Sequence, residues 1–208
     1  MKKMLKTDES ILQVLREKEP LFGPIIESCG PIEMELSEDP FTALASAIVS
    51  QQLSGRVAEV IWGRVAALLD GQITAERVLA TADERFREAG LSNSKTKYLK
   101  CLSDAVQSGL VRPEEFPGME NEAIIAELVA VKGIGRWTAE MFLMFSLGRP
   151  DVFSPGDGGL QRAVKKIYGL EEIPSAEELA VISERWKPYR TFASFYLWRS
   201  LSVKPPNF

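Results

Sequence analysis

The 208-residue chain has no histidine and only two cysteines, Cys29 and Cys101. Without an imidazole, histidine-based acid–base or nucleophilic catalysis is excluded. Two thiolates cannot hold a four-cysteine iron–sulfur cluster. Two thiolates with no imidazole make a poor zinc site, so neither cluster nor zinc is expected and no cofactor is required. No run of about 18 apolar residues occurs, so no transmembrane helix and no membrane partner are expected. The N-terminus, MKKMLKTDESILQVL, begins with lysines but lacks a long apolar region and a small-residue cleavage site. It does not read as a secretory signal, and an intracellular protein is expected. Chemistry is left to carboxylates, lysines, hydroxyls and backbone groups.

Positive charge is also in short supply. The net charge of −4 argues against a general polyanion binder. It leaves room for a local basic face, because phosphate contacts depend on where charge sits. Lys95, Lys97 and Lys100 read as a solvated helix face, with DNA contact as the alternative. Cys101 falls on an apolar stripe and reads as a packed core thiol.

What is present is helix after helix. Asp8-Glu9-Ser10 precede the apolar residues Ile11, Leu12, Val14 and Leu15. Gly23, Pro24, Gly30 and Pro31 punctuate a loosely structured stretch. Asp39 and Pro40 are an N-cap and a first helical residue, followed by Phe41, Leu44, Ala45, Ile48 and Val49 on one helical face. Thr74 is a further cap, Thr81 with Glu84 fits a capping box, and Gly90 the matching stop. Tyr98, Cys101, Leu102, Ala105 and Val106 make another stripe. Asn121 is a candidate cap for the next helix, Gln161 to Tyr168 is a helix ended near Gly169, and Ser175 with Glu178 is a second capping box. Thr191 to Ser200 is a final aromatic helix. No alternating strand pattern and no repeat emerge, so the fold class is all-α, with about ten short helices.

The stretch from Leu128 to Asp157, LVAVKGIGRWTAEMFLMFSLGRPDVFSPGD, organises the rest. Gly133 and Gly135 lie one residue apart between two apolar helices, where the backbone must turn sharply. Gly135 stands just ahead of a helix, whose amide donors and positive end suit a phosphate without any sequence preference. Lys132 and Arg136 flank the turn and can add charge. A plain helix–turn–helix pair, with glycines serving only the bend, fits the same pattern. Asp157, closing the Pro/Gly-rich loop, is either an active-site acid or simply the cap of the helix that begins near Gly158.

Leu128 to Phe142 and the loop Ser154-Pro155-Gly156-Asp157 together resemble the helix-hairpin-helix DNA glycosylase superfamily. Within it, GIGRWTAEMF and DVFSPGD look like 3-methyladenine DNA glycosylase II and its shorter relatives. DPFTALASAIVSQQLS resembles that branch's early helix and wedge loop, and ERWKPYRTFASFYLWRS its C-terminal helix. The resemblance implies two helical lobes with the active site in the cleft between them. One lobe is a central bundle, residues 39–148, ending in the helix-hairpin-helix. The other combines residues 1–38 and 149–208 and carries the aspartate loop. The β-rich N-terminal domain of larger members is not expected, because too few residues precede Asp39.

The resemblance also implies roles. Asp157 would be the catalytic carboxylate. Trp137, Trp198 and Met141 would line the substrate pocket. Lys132, Gly133, Ile134, Gly135, Arg136 and Thr138 would bind DNA at the hairpin, and Gln52 with Leu53 would fill the gap left by a flipped base. The backbone carbonyls of Val129, Val131 and Ile134 would hold a monovalent cation, Na+ or K+. Members that also cut the sugar–phosphate backbone carry a lysine where this chain has Trp137, so no lyase step is expected. Met141 and Gly158 stand where the large enzyme of the branch has tyrosines, which makes the pocket less aromatic. The implied function is a monofunctional, monomeric DNA glycosylase that removes N-alkylated purines, such as 3-methyladenine and 7-methylguanine, from double-stranded DNA. A non-catalytic helix-hairpin-helix DNA-binding protein and a glycosylase for deaminated or mismatched bases remain the alternatives.

Overall fold

Most helices begin at a side chain able to cap them, and caps set the outline of the chain. The computed structural model describes residues 4–37 and 39–202; the N-terminal lysines Lys2 and Lys3 lie outside them. The chain divides into two compact units, residues 1–36 with 143–208 and residues 37–142.

The first unit opens with β1 (Met4–Lys6), α1 (Glu9–Lys18), α2 (Phe22–Cys29) and β2 (Glu33–Glu35). The second unit holds α3 (Pro40–Ser50), α4 (Gly55–Leu68), α5 (Ala75–Ala80), α6 (Asp83–Glu88), α7 (Asn93–Gln107), α8 (Asn121–Val129) and most of α9 (Arg136–Phe145). The first unit resumes at Leu143 and adds α10 (Gly158–Tyr168), α11 (Ala176–Ser183) and α12 (Arg190–Ser202). The all-α reading holds, with one departure. β1 and β2 pair antiparallel, with Leu5 opposite Met34. Three residues per strand are too few to show the alternation by which a strand is read from sequence.

Other local expectations divide the same way. Asp8, Asp39 and Thr74 accept backbone N–H groups of the helices they start, and Ser175 with Glu178 forms both halves of a capping box. Thr81 does not start α6. It ends α5, and its hydroxyl donates back to the Arg77 carbonyl at 2.8 Å. Asn121 is the first residue of α8, whose N-cap is Glu120. Residues 22–29 are helical despite Gly23 and Pro24, because Pro24 falls in the first turn, where no helical N–H is required. On α7 the buried positions are Thr96, Leu99, Leu102, Ser103 and Ala105, so the stripe is turned from the one expected, and Cys101 is only half-buried.

Each unit has its own core. In the second, α3 buries Phe41, Leu44, Ala45, Ile48 and Val49, and α9 buries Ala139 and Phe142. Phe142 meets Phe116 edge-to-face at 5.7 Å. In the first, fully buried Trp186 takes the rings of Phe22 and Phe153 edge-on at 5.6 and 5.4 Å. Each such side chain contributes about 1.5–3 kcal/mol by leaving water. No helix among the described residues is long and apolar enough to cross a membrane.

Candidate nucleic-acid interface and active site

The hairpin joins α8 to α9 through six residues. The Val131 N–H donates to the Leu128 carbonyl, and the Ile134 N–H to the Val131 carbonyl, both at 3.1 Å. Val131 and Ile134 are buried, while Lys132 is exposed between them. The two glycines have different reasons to be glycine. Gly133 has φ +99°, and a Cβ there would lie 2.1 Å from Cγ of Tyr98 and 2.6 Å from its Cβ, far inside van der Waals contact. Gly135 has no such constraint, since a Cβ would meet nothing within 4 Å. Neither φ nor packing demands glycine at 135, as at Gly55 and Gly63, and the bare backbone there leaves room for an outside group to come close. It stands at the start of α9, where amide donors and the positive helix end gather.

The flanking charges differ as well. Lys132 makes no ion pair with a described residue. The Arg136 guanidinium donates to both carboxylate oxygens of Glu122 and, through Nε, to Glu140 at 2.9 Å. These acids hold its pKa above the ordinary value, Glu122 through its hydrogen bonds foremost. Thr138 is buried, its hydroxyl facing Gln51, so its side chain does not stand on the surface.

The turn after α3 carries the expected gap-filling residues. Gln52 is exposed with φ +57°, a left-handed conformation uncommon for any residue but glycine and asparagine. Leu53 beside it is half-buried, and its N–H closes the turn onto the Ser50 carbonyl at 3.2 Å. Gln51 points the other way. Its Nε2 donates to the Gly133 carbonyl at 2.9 Å and faces the Thr138 hydroxyl at 3.4 Å. Lys95, read as a solvated or DNA-facing lysine, instead donates from Nζ to the Val49 carbonyl at 2.7 Å, and partial burial lowers its pKa. Lys100 is likewise spent on the Leu79 and Thr81 carbonyls.

In the other unit, the loop 149–157 is held at both ends. The Val152 N–H donates to the buried Thr191 hydroxyl at 3.0 Å, which donates to the Arg149 carbonyl at 2.6 Å. Arg190 grips Asp151 with Nε and Nη2 at 2.7 and 3.1 Å. Pro155 and Gly156 occupy the middle of a turn closed by the Asp157 N–H on the Ser154 carbonyl. Asp157 then caps α10, its Oδ1 accepting from the Leu160 N–H at 2.8 Å. The same oxygen accepts from Trp198 Nε1 at 2.9 Å, so a helix start and an indole fix one carboxylate. Capping and catalytic readings of Asp157 are therefore compatible. Gly159 makes room for this pairing: a Cβ there would lie 2.9 Å from Asp157 Oδ1 and 3.0 Å from Trp198 Nε1.

Trp198 is half-buried and stacks on Phe145 at 5.8 Å, with Phe195 tilted against both rings. Sequence reasoning named neither Gly159 nor Phe145. The second glycine of Asp-Gly-Gly was the only signal for the former. Phe145 sits four residues beyond Met141 and eight beyond Trp137, a helical spacing that could have singled it out. Trp137 and Met141 share a face of α9 by the same spacing; the indole is 48% exposed and the methionine half-buried. Gly158 opens α10, with Arg162 Nη1 3.2 Å from where a Cβ would be. Among the described residues, no cluster of three or more Cys, Asp and Glu is placed to hold a metal ion. The three hairpin carbonyls are a different donor set: neutral oxygens near the negative end of α8. Val131 spends one lone pair on Ile134 and retains another, and this chemistry fits a weakly charged cation.

Comparison with known proteins points one way. Residues 45–188 match the HhH-GPD superfamily base excision DNA repair protein family. DNA-3-methyladenine glycosylase 1 of Schizosaccharomyces pombe is 36% identical over 166 residues, 78% of this chain and 73% of that protein. Among solved structures, DNA-3-methyladenine glycosidase from Bacillus halodurans superposes with a TM-score of 0.86 at 38% identity, covering 97% of this chain and 93% of that one. The 3-methyladenine DNA glycosylase of S. pombe in complex with abasic DNA gives 0.85 at 31% identity, covering 96% and 100%.

Proposed function

The chain belongs to the HhH-GPD superfamily of base excision DNA repair proteins, and on that premise we propose that it hydrolyses the N-glycosidic bond of N-alkylated purines in duplex DNA. The observation that carries this reading is the Asp157 carboxylate, held by the Leu160 amide and the Trp198 indole beside an aromatic stack. Breaking the glycosidic bond builds positive charge on the sugar, and a fixed carboxylate stabilises that charge. At roughly 4 Å and an effective dielectric near 20 the interaction is worth about 4 kcal/mol, or about three decades of rate. Asp157 also accepts the hydrogen of the attacking water.

An alkylated purine is itself cationic with a weakened bond, so it leaves without a general acid, which suits a chain lacking histidine. Its charge is drawn to the indole face of Trp137 by about 0.5–2 kcal/mol. Rotating the base out of the stack costs a few kcal/mol; Gln52 and Leu53 enter the gap, while the hairpin amides, with Lys132, hold the backbone phosphates. The carbonyls of Val129, Val131 and Ile134 would hold Na+ or K+, which supplies positive charge beside those phosphates. Trp137 offers no amine for a Schiff base, so the reaction is hydrolytic, without strand cleavage. The protein acts as an intracellular monomer.

The test is direct. Wild-type protein should release free 3-methyladenine or 7-methylguanine from alkylated duplex DNA, with no borohydride-trapped covalent complex. Asp157→Asn retains a capping side chain, so it should fold and bind DNA yet release base about three decades more slowly. Undiminished release by that variant would overturn the catalytic assignment. A trapped complex would overturn the hydrolytic one. Salt-sensitive binding with no release from any lesion would favour a non-catalytic DNA-binding protein, and release of only deaminated or mismatched bases would move the substrate class.

A further inference from the structure

Gln52 holds a left-handed backbone that a non-glycine residue keeps only when its surroundings impose it. Those surroundings are unusually well tied down. Immediately before it, Gln51 reaches across 82 residues of sequence to donate to the Gly133 carbonyl, at the centre of the hairpin turn. From below, α7 supports both ends of this link. Lys95 Nζ fastens the Val49 carbonyl, two residues before Gln51. Tyr98, one turn further along α7, lies so close under Gly133 that no side chain fits there. The turn bearing Gln52 and Leu53 and the turn bearing Gly133 and Gly135 are thus two rims of one braced block.

We propose that Gln51 is a positioning residue that couples the phosphate-gripping hairpin to the gap-filling turn, so that docking on the backbone sets the depth to which Gln52 and Leu53 enter the duplex. This rests on the glycosylase reading of the same surface. The link acts only where there is a base stack to enter. It contributes nothing to the hydrolysis of a base already outside a helix, and little to contact with undamaged backbone.

Gln51→Leu removes both donors at similar volume and leaves Gln52 and Leu53 in place. Two measurements read the consequence. One is the fluorescence rise of 2-aminopurine beside a tetrahydrofuran abasic analogue in duplex DNA, which follows insertion without any base release. The other is single-turnover release of the same alkylated base from duplex and from single-stranded DNA. With one hydrogen-bonded link lost, the duplex-to-single-strand ratio should fall about three- to tenfold, the fluorescence rise should shrink in step, and binding to undamaged duplex should hold. Equal losses on both substrates would mark a merely structural role and overturn the coupling, as would an unchanged ratio. Wild-type protein that inserts but releases no base would sink the glycosylase reading while an insertion defect in Gln51→Leu still upheld the coupling. If Gln51→Leu fails to fold, Gln51→Glu, which turns a carboxylate toward the Gly133 carbonyl, must show the same selective loss.

Discussion

Glycines at three positions do two different jobs, and alanine separates them. At Gly159 an added methyl meets both Asp157 Oδ1 and the Trp198 indole. Overpacking of that kind costs about 1–3 kcal/mol, more than the gain of up to about 1 kcal/mol from alanine in a helix. Gly159→Ala should therefore lower the thermal midpoint and slow base release together, because the clash falls on the carboxylate itself. At Gly135 the methyl meets nothing, and φ is not left-handed. Gly135→Ala should melt at the wild-type temperature or slightly above, yet bind duplex DNA more weakly, because in the proposed grip the methyl would stand in the way of a phosphate. Melting curves and duplex titrations of the two variants check both expectations. Loss of stability in Gly135→Ala with unchanged DNA binding would show that the residue serves the fold and not the ligand. Gly133 belongs with Gly159 as a residue of the fold, since Tyr98 occupies the space of its side chain.

Elements are joined by a few buried polar links, and one of them gives the protein an alkaline limit. The Tyr168 hydroxyl, at the end of α10, donates to buried Glu19, which also accepts from Arg185 at 3.2 Å. Burial first, and the bond to Glu19 second, push the Tyr168 pKa well above its ordinary value of 10. The folded chain binds this proton more tightly than the unfolded one does, so the stabilisation is complete below pH about 10 and is lost as pH rises toward the folded value. Tyr168→Phe has no such proton. Its midpoint should lie below wild type at neutral pH, and the gap should narrow as pH rises above about 10; parallel curves would mean that Tyr168 does not set the limit. Links of this kind explain what could be read from sequence. Asp39, Ser175 and Asp157 act on amides two or three residues away, so their capping was legible. Thr81 was misread because a helix end and a helix start compete for it within three residues. Gln51 with Gly133 and Asp157 with Trp198 lie 82 and 41 residues apart, and no local pattern announces such a pair. The candidate site residues were named through a resemblance to a family, whereas the bonds that orient them had no signal in the sequence.

Charge over the whole molecule sets how it can meet DNA. Residues 37–142 contain 11 lysines and arginines against 15 aspartates and glutamates, a net of −4, and the remainder holds 14 of each sign and is neutral. The unit carrying the hairpin thus bears the entire excess of negative charge. Its cations are moreover largely engaged: Lys95 and Lys100 on carbonyls, Arg77, Arg112 and Arg136 on carboxylates. A polyanion held on such a surface must be held chiefly by amide dipoles and few charges. Each phosphate neutralised by a side chain adds roughly −0.9 to the slope of log affinity against log salt. A shallow slope, about −2 to −3, is therefore expected. Lys132, exposed and outside any ion pair with a described residue, should supply about one unit of it, lost in Lys132→Met with equal weakening for every sequence. Arg136 is already neutralised by Glu122 and Glu140, so Arg136→Met should change the slope by much less. Titrations of an undamaged duplex over a range of salt decide the matter. A steep slope, or a larger change for Arg136 than for Lys132, would mean that the carboxylates release Arg136 to the phosphates and that charge, not the hairpin amides, holds the DNA.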